Sequence, residues 1–366
     1  MTRFDFKAAL AARSAWIWPI LGVAALPLAA TGGAGGWMAA LSAIALVGTV
    51  FAAVHHAEVI ASRTGEPFGP LILAIAVTVI EVGLIVSIML GFDIPKPTLA
   101  RDTVFAAVMI ACNGIVGACL LAGGVKHHEQ DFRLQGASAT LAVLAALTAL
   151  TLIVPNVTTS VEGPVFSKSQ TAFAAFISLF LYLSFLFIQT VSHRDSFMPT
   201  AEEAGDGHAH FADPTAGATA FSAALLVVSL ICVVLLAKFL TPALEGGIDR
   251  LGAPRGLVGV AIATIVLLPE GIAALRAASA NRLQTSLNLA LGSALASIAL
   301  TIPTIGAIAI FWDYRIELGL PIKDVVLLAL TLLISVITLG TGRTTLLQGV
   351  VHLSIFASYV FFVIVP

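Results

Sequence analysis

Residues 70–90, PLILAIAVTVIEVGLIVSIML, form an apolar stretch with one ionisable side chain, Glu81, at its middle. A helix of about 20 apolar residues crosses the hydrocarbon core of a bilayer, so the stretch predicts a transmembrane helix. A charged side chain at this depth costs on the order of 3 kcal/mol. A carboxyl group reduces that cost by taking up a proton or by holding a cation. Glu81 is therefore a candidate transport residue.

The composition of the whole chain predicts an all-α polytopic membrane protein. Of its 366 residues, 59% are hydrophobic and only 10% are charged, whereas soluble domains carry about 25% charged residues. The formal net charge is −2 and no basic patch is present, so we expect the lipid bilayer as a partner and no nucleic acid. Three cysteines lie in apolar runs without a CxxC motif and are predicted to be packing residues: Cys112, Cys119 and Cys232.

Hydropathy predicts about eleven transmembrane helices. The first covers residues 16–30 and follows a positively charged N-terminus. This pattern also resembles a signal peptide, but we expect an uncleaved helix. The other ten are predicted at about 37–54, 69–91, 103–125, 137–155, 171–192, 217–240, 256–276, 285–311, 322–340 and 344–364.

A polar stretch, residues 193–216, separates two groups of five predicted helices. It contains Glu202, Glu203, Asp206 and Asp213, with His208 and His210, and is predicted to be a solvated linker; a cation or pH sensor is the alternative. An odd number of spans inverts one group relative to the other, as in secondary transporters with a midplane site. The predicted divisions are a leading segment 1–36, a first repeat 37–192, the linker 193–216 and a second repeat 217–366.

Glu270 occupies the second helix of the second repeat, as Glu81 does in the first, about half a chain length away. Thr78 lies one helical turn before Glu81, on the same face. Pro269 precedes Glu270 and lacks an amide donor, which frees a backbone carbonyl. Each acid alone fits a protonated carboxyl bonded to a neighbouring helix. Their matching positions favour one shared binding site.

The helix after each acidic helix carries further polar groups. Small and polar residues also hold membrane helices together, so packing is the alternative role. With the two carboxylates, however, their oxygens suit a hard cation such as Ca²⁺, which takes six to eight oxygen ligands. The predicted ligand set is Glu81, Glu270, Thr78, Asn113, Asn288, Ser293 and Ser297.

Two polar clusters near helix ends are predicted to be loops. The first contains His55, His56 and Glu58, with Arg63 and Glu66. A proton relay or gate is the alternative role for this cluster. The second contains Lys126, His127, His128, Glu129 and Asp131.

The distribution of basic residues predicts the orientation in the membrane. With a cytoplasmic N-terminus, ten of the 18 Lys and Arg residues lie on the cytoplasmic side. Cytoplasmic loops carry an excess of basic residues. We therefore expect the N-terminus inside and the C-terminus outside.

Three stretches resemble a known family: HHAEVIASRTGEPFGPLILAIAVTVIEVGLIVSIML, NLALGSALASIALTIPT and LLPEG. They are similar to the ChaA branch of the cation/proton exchanger group, within the Ca²⁺/cation antiporter superfamily. The resemblance covers nearly the whole chain. It implies a proton-driven exporter of Ca²⁺, and in this branch of Na⁺ or K⁺, in the bacterial inner membrane.

The resemblance also implies roles for individual residues. One glutamate per repeat binds the cation, which assigns that role to Glu81 and Glu270. The polar residue of the family's GS motif corresponds to Asn113 in the first half, and to Ser293 and Ser297 in the second. The wider family has Gly-Asn in a GNxxE pattern, where this chain has Val77-Thr78 and Val266-Leu267. Because both acidic helices lack this Asn ligand, a monovalent cation is the alternative substrate.

We therefore expect a cation/proton antiporter rather than an enzyme. It needs no cofactor, only the transported Ca²⁺ (or Na⁺/K⁺) and H⁺. A membrane-embedded enzyme is the first rival, but the spans contain no GxSxG, HExxH or paired aspartates. A channel or a structural subunit is the second, and neither requires a protonatable pair.

Overall fold

A computed structural model describes residues 3–30, 36–65, 68–90, 97–199, 214–250, 252, 254 and 256–366. The described residues form eleven helices and two short strands. The helices are α1 (Arg3–Ala30), α2 (Gly36–Thr64), α3 (Phe68–Leu90), α4 (Leu99–His127), α5 (Leu134–Asn156), α6 (Lys168–Ser192), α7 (Ala216–Arg250), α8 (Gly256–Ser279), α9 (Leu283–Phe311), α10 (Ile322–Leu339) and α11 (Leu346–Ile364). The strands are β1 (Glu129–Asp131) and β2 (Arg343–Thr345).

The predicted all-α membrane fold is confirmed. Within the described ranges, nine helices are long and apolar enough to cross a membrane. The remaining two, α1 and α3, contain the shorter apolar stretches Ser14–Ala30 and Ile72–Ser87. The predicted linker residues Glu202, Glu203, Asp206, His208, His210 and Asp213, and Glu66 of the first polar cluster, lie outside the described residues.

The prediction of a loop around His55, His56 and Glu58 is wrong, because α2 continues through them to Thr64. His56 is fully buried, and its Nε2 donates to the carbonyl oxygen of Ala15 in α1 at 3.1 Å. This bond offsets the cost of removing one of the two imidazole nitrogens from water. Polar residues that looked like a helix end therefore belong to a helix–helix contact.

The second polar cluster is also not simply a loop. Lys126 and His127 end α4. After His128, which has a φ of +67°, the chain enters β1. β1 pairs antiparallel with β2, and Asp131 lies 2.8 Å from the guanidinium of Arg343 opposite it. The two-stranded sheet is the one departure from an all-helical fold in the described part of the chain.

The helices form two compact units that interleave along the chain. The first unit contains α1, α2, α3 and α7. In it, α1 packs closely on α2, because Gly48 faces the ring of Trp18 and Gly22 faces Thr49. The Thr49 hydroxyl lies 3.2 Å from the carbonyl of Trp18. Small residues permit this close approach of two helices.

The second unit contains α4, α5, α6, α8 from Gly259 onward, and α9 to α11. Glycines bring α4 and α11 together, with Gly117 against His352 and Gly349 against the backbone of Leu121. Lys126 and His127 donate to the carbonyl of Ser279, at the end of α8. Helices α4, α5 and α6 each include a π-helical segment: Ile110–Ile115, Ala149–Ile153 and Ile188–Ser192.

The contact between α1 and α2 generates a testable prediction. A Cβ atom at position 48 would lie 2.2 Å from ring atoms of Trp18. We therefore expect Gly48→Ala to lower the free energy of unfolding by about 1–3 kcal/mol, the usual cost of overpacking. The measurement is the thermal unfolding midpoint of the purified protein in detergent. Gly217→Ala is the matched control, because no atom lies within 4 Å of its added Cβ. Equal midpoints for the two variants would contradict the prediction.

Candidate functional site

Glu81 and Thr78 occupy one face of α3 in the first unit. Their spacing of three residues places them one helical turn apart. Glu81 is 2% exposed and Thr78 is 7% exposed. The hydroxyl of Thr78 has no hydrogen-bond partner among the described residues. The pair therefore offers a buried carboxylate and a buried hydroxyl oxygen to a ligand.

Glu270 lies in α8, in the second unit, and is 8% exposed. It follows Pro269, which lies inside the helix. Proline has no N–H, so the carbonyl of Ile265 loses the helical bond it would otherwise accept. The helix thus has a buried carboxylate at Glu270 and a backbone carbonyl without its helical donor five residues earlier.

Asn113 lies in the π-helical segment of α4 and is fully buried. A π-helical turn inside an α-helix is frequent at functional sites. The Nδ2 of Asn113 donates to the Thr331 hydroxyl in α10 at 2.8 Å. Its Oδ1 lies 3.1 Å from Nδ1 of His352 in α11. The carboxamide is therefore held from both ends by neighbouring helices.

The three predicted residues of α9 lie at different depths. Ser297 is at the middle of the helix and is buried, and Ser293 is half-buried one turn before it. Asn288 is near the start of α9. Its Nδ2 donates to the carbonyl of Phe197 at 2.7 Å, and its Oδ1 accepts from Gln284 at 2.9 Å. Asn288 is thus engaged at both ends, with one lone pair of Oδ1 remaining.

The seven predicted ligands divide between the two units. Thr78 and Glu81 belong to the first, and the other five belong to the second. Among the described residues, no three His, Cys, Asp or Glu side chains form a cluster suited to a metal ion. The ligand roles of the seven residues stay predictions.

The sequence did not indicate three residues of this hydrogen-bonded group. Thr331 and His352 bond to Asn113, and Thr338 bonds to His352. Thr331, Ser335 and Thr338 follow the i, i+4, i+7 spacing of one helical face in α10, and all are buried. That spacing, and the single histidine inside the apolar α11, were the available signals. Neither indicates a partner on another helix.

Charged groups outside the spans pair with one another. Lys168 lies 2.7 Å from Asp313, and this bond with its charge lowers the pKa of that carboxyl. Both side chains line a pocket of about 260 Å³ in the second unit, next to Arg315. None of the seven predicted ligands lines it. This charged surface is therefore separate from the candidate transport site.

A family model for the sodium/calcium exchanger protein matches the chain in two segments, residues 35–191 and 221–365. A Sinorhizobium fredii protein named as an ionic transporter, y4hA, is 48% identical over 326 residues, which cover 89% of this chain and 88% of that protein. The sodium-potassium/proton antiporter ChaA of Escherichia coli is 36% identical over 320 residues, which cover 87% of this chain and 86% of that protein.

The fold is also found in a solved structure. Native YfkE superposes with a TM-score of 0.74 at 16% sequence identity, covering 95% of this chain and all of that one. At this identity the likeness concerns the fold alone. The two family-matched segments each contain five of the eleven helices, α2–α6 and α7–α11. The chain therefore belongs to the sodium/calcium exchanger protein family, as a multi-pass membrane cation transporter, not an enzyme, with eleven helices in its described residues.

Proposed function

We propose that the protein exchanges Ca²⁺ for protons, with Glu81 and Glu270 as the groups that bind both. One observation carries this proposal. Each of the two family-matched segments holds a buried carboxylate in its second helix, Glu81 in α3 and Glu270 in α8. A carboxylate at membrane depth requires neutralisation, and matched positions in inverted repeats are typical of a shared midplane site.

Charge balance explains how two such carboxylates couple the two fluxes. Together they carry two negative charges, which one Ca²⁺ or two protons neutralise. Burying the pair while both are ionised and empty is unfavourable, because each disfavours the ionised form of the other. Only the cation-bound and the protonated states therefore change between inward-facing and outward-facing conformations. This restriction prevents one ion from crossing without exchange for the other.

Neutral oxygens complete the proposed coordination. Ca²⁺ takes six to eight oxygen ligands, and two carboxylates supply at most four. The remaining ligands are drawn from hydroxyl and carboxamide oxygens and from the Ile265 carbonyl that Pro269 leaves without its helical donor. The transported ions are the only ligands that this mechanism requires, without a cofactor. The proposed side chains are Thr78, Asn113, Asn288, Ser293 and Ser297.

Exchange of Na⁺ or K⁺ for protons is the second candidate. Thr78 and Leu267 stand where the resembled family has Asn, so each acidic helix offers one amide oxygen fewer. A smaller set of oxygen ligands suits Ca²⁺ less well, because Ca²⁺ takes six to eight. The 36% identity with a protein named as a sodium-potassium/proton antiporter also favours this candidate.

The proposal includes a location and an orientation. We place the chain in the bacterial inner membrane, as suits an exporter that uses a proton gradient. The N-terminus is proposed to be cytoplasmic, because ten of the 18 Lys and Arg residues then lie on that side. The partners are the inorganic cation, protons and the bilayer.

The two glutamates are tested by charge removal at nearly constant shape. Glu81→Gln and Glu270→Gln should each abolish cation-dependent proton movement in everted membrane vesicles, because a neutral amide neither exchanges a proton nor balances the cation. Glu162→Gln is the matched control and should retain activity, since Glu162 is exposed in the loop before α6. Full activity in either site variant, at equal protein level, would refute the assignment.

The identity of the ion is tested by flux into proteoliposomes under an imposed pH gradient. For Ca²⁺ we expect electroneutral exchange, because two carboxylates release two protons for one divalent cation. With equal cation concentrations on the two sides, net flux should then be insensitive to an imposed membrane potential and should vanish without the pH gradient. Flux with Na⁺ or K⁺ alone would support the second candidate. Flux that continues without a pH gradient, driven by potential only, would indicate a channel.

A further inference from the structure

Four buried side chains on three helices of the second unit form a continuous line of hydrogen bonds. Asn113 in α4 donates from Nδ2 to Thr331 Oγ1 in α10, at 2.8 Å. Its Oδ1 lies 3.1 Å from Nδ1 of His352 in α11. The Nε2 of the same imidazole lies 3.2 Å from the hydroxyl of Thr338 in α10. None of the four side chains is more than 2% exposed, so water does not compete for these bonds.

The hydrogen bonds of Thr331 determine which atoms of this line donate and which accept. The other acceptors near its hydroxyl are the Leu327 carbonyl at 2.8 Å and the Met109 sulfur at 3.4 Å. Its one proton goes to one of them, so its oxygen accepts from Asn113 Nδ2. Asn113 Oδ1 therefore faces His352. The hydrogen-bond network then assigns the proton of the neutral imidazole to Nδ1, and Nε2 accepts from a hydroxyl.

We propose that His352 is a positioning residue of the transport site. Its Nδ1–H holds the Asn113 carboxamide in one orientation and leaves one lone pair of Oδ1 for the transported cation. A carbonyl oxygen has two lone pairs, so this hydrogen bond and a bound cation do not exclude each other. The inference rests on the proposed function, in which Asn113 is one of the oxygen ligands. Hydrogen-bonded neighbours of this kind orient ligands and alter cation affinity.

The packing of α11 on α4 makes this contact feasible. A Cβ atom at Gly117 would lie 3.0 Å from the Cβ of His352 and 3.0 Å from the backbone nitrogen of Leu353. Glycine at this position therefore allows α11 to approach α4 closely enough for the imidazole to reach Asn113. The imidazole in turn bonds to both neighbouring helices, α4 and α10. Its role is directional, because Nδ1 faces the Asn113 carboxamide, beside the backbone of Cys112, and Nε2 faces the Thr338 hydroxyl.

Two substitutions test the roles of the two imidazole nitrogens separately. In His352→Asn, the amide nitrogen takes the place of Nδ1 and still donates to Asn113. In His352→Gln, the amide group takes the place of Nε2, and the donor to Asn113 is lost. We expect His352→Gln to raise the KM for the transported cation by about 10-fold or more, the usual effect of losing an orienting neighbour, and His352→Asn to remain close to wild type. The assay is pH-gradient-driven flux of Ca²⁺, with Na⁺ in parallel.

A double-mutant cycle shows whether His352 acts through Asn113. In an Asn113→Ala background, His352→Gln should have no further effect on KM, because the group it orients is absent. A structural role would instead lower the maximal rate or the thermal midpoint and leave the two effects on KM independent. His56→Gln is the matched control, since it removes a buried imidazole from the first unit. Independent effects on KM, or an unchanged KM in His352→Gln, would overturn the inference.

The outcomes also separate this inference from the proposed function. Activity in Glu81→Gln or Glu270→Gln would refute the proposed function itself. Loss of activity in both, with an unchanged KM in His352→Gln, would refute only the role of His352. If His352→Gln does not fold, Thr338→Val replaces it in the same cycle. It removes the hydroxyl donor to Nε2 and should raise KM in the wild-type background but not with Asn113→Ala; any other pattern overturns the inference.

Discussion

The energetic cost of a polar group in hydrocarbon is the constraint on which the rest of this structure depends. An ionised glutamate at that depth is unfavourable unless a proton or a cation neutralises it. The chain places one glutamate in the second helix of each family-matched segment, Glu81 and Glu270, and buries both. Under the proposed function, neutralisation of both carboxylates is a condition for the change between inward-facing and outward-facing states. Obligatory exchange would then follow from this condition without any additional coupling device.

Many other polar side chains in the spans offset the same cost with a hydrogen bond to a backbone carbonyl of their own helix. The hydroxyls of Thr140, Thr148 and Ser178 each donate to the carbonyl four residues earlier, at 2.7 to 2.9 Å. Such groups need no partner on another helix, so they carry little information about function. Asn113 and His352 differ, because their bonds run from helix to helix. Helix-to-helix bonds therefore mark the polar groups whose position depends on the packing of another helix.

The same distinction explains what the sequence could predict. Hydropathy is a local property, so the eleven helices and the two acidic positions were recognisable from single stretches. The end of α2 was not, because the partner of His56 is Ala15, on another helix. Pairing of β1 with β2 and the bonds of Asn113 also join distant segments; its partners lie 218 and 239 residues further along the chain. A polar residue in an apolar helix can be located from sequence, but its partner cannot.

Gly117 connects the packing of α11 on α4 with the hydrogen bond between His352 and Asn113. Any side chain at position 117 would push α11 away from α4, because its Cβ would already lie 3.0 Å from that of His352. Such a displacement lengthens the bond between His352 and Asn113, and it does so without touching either polar group. The line of hydrogen bonds therefore requires Gly117 as much as it requires the imidazole of His352. Close helix packing in this family member does more than stabilise the bundle. It sets the distances at which buried polar groups meet and, under the proposed function, determines which oxygen atoms are held in place for a cation.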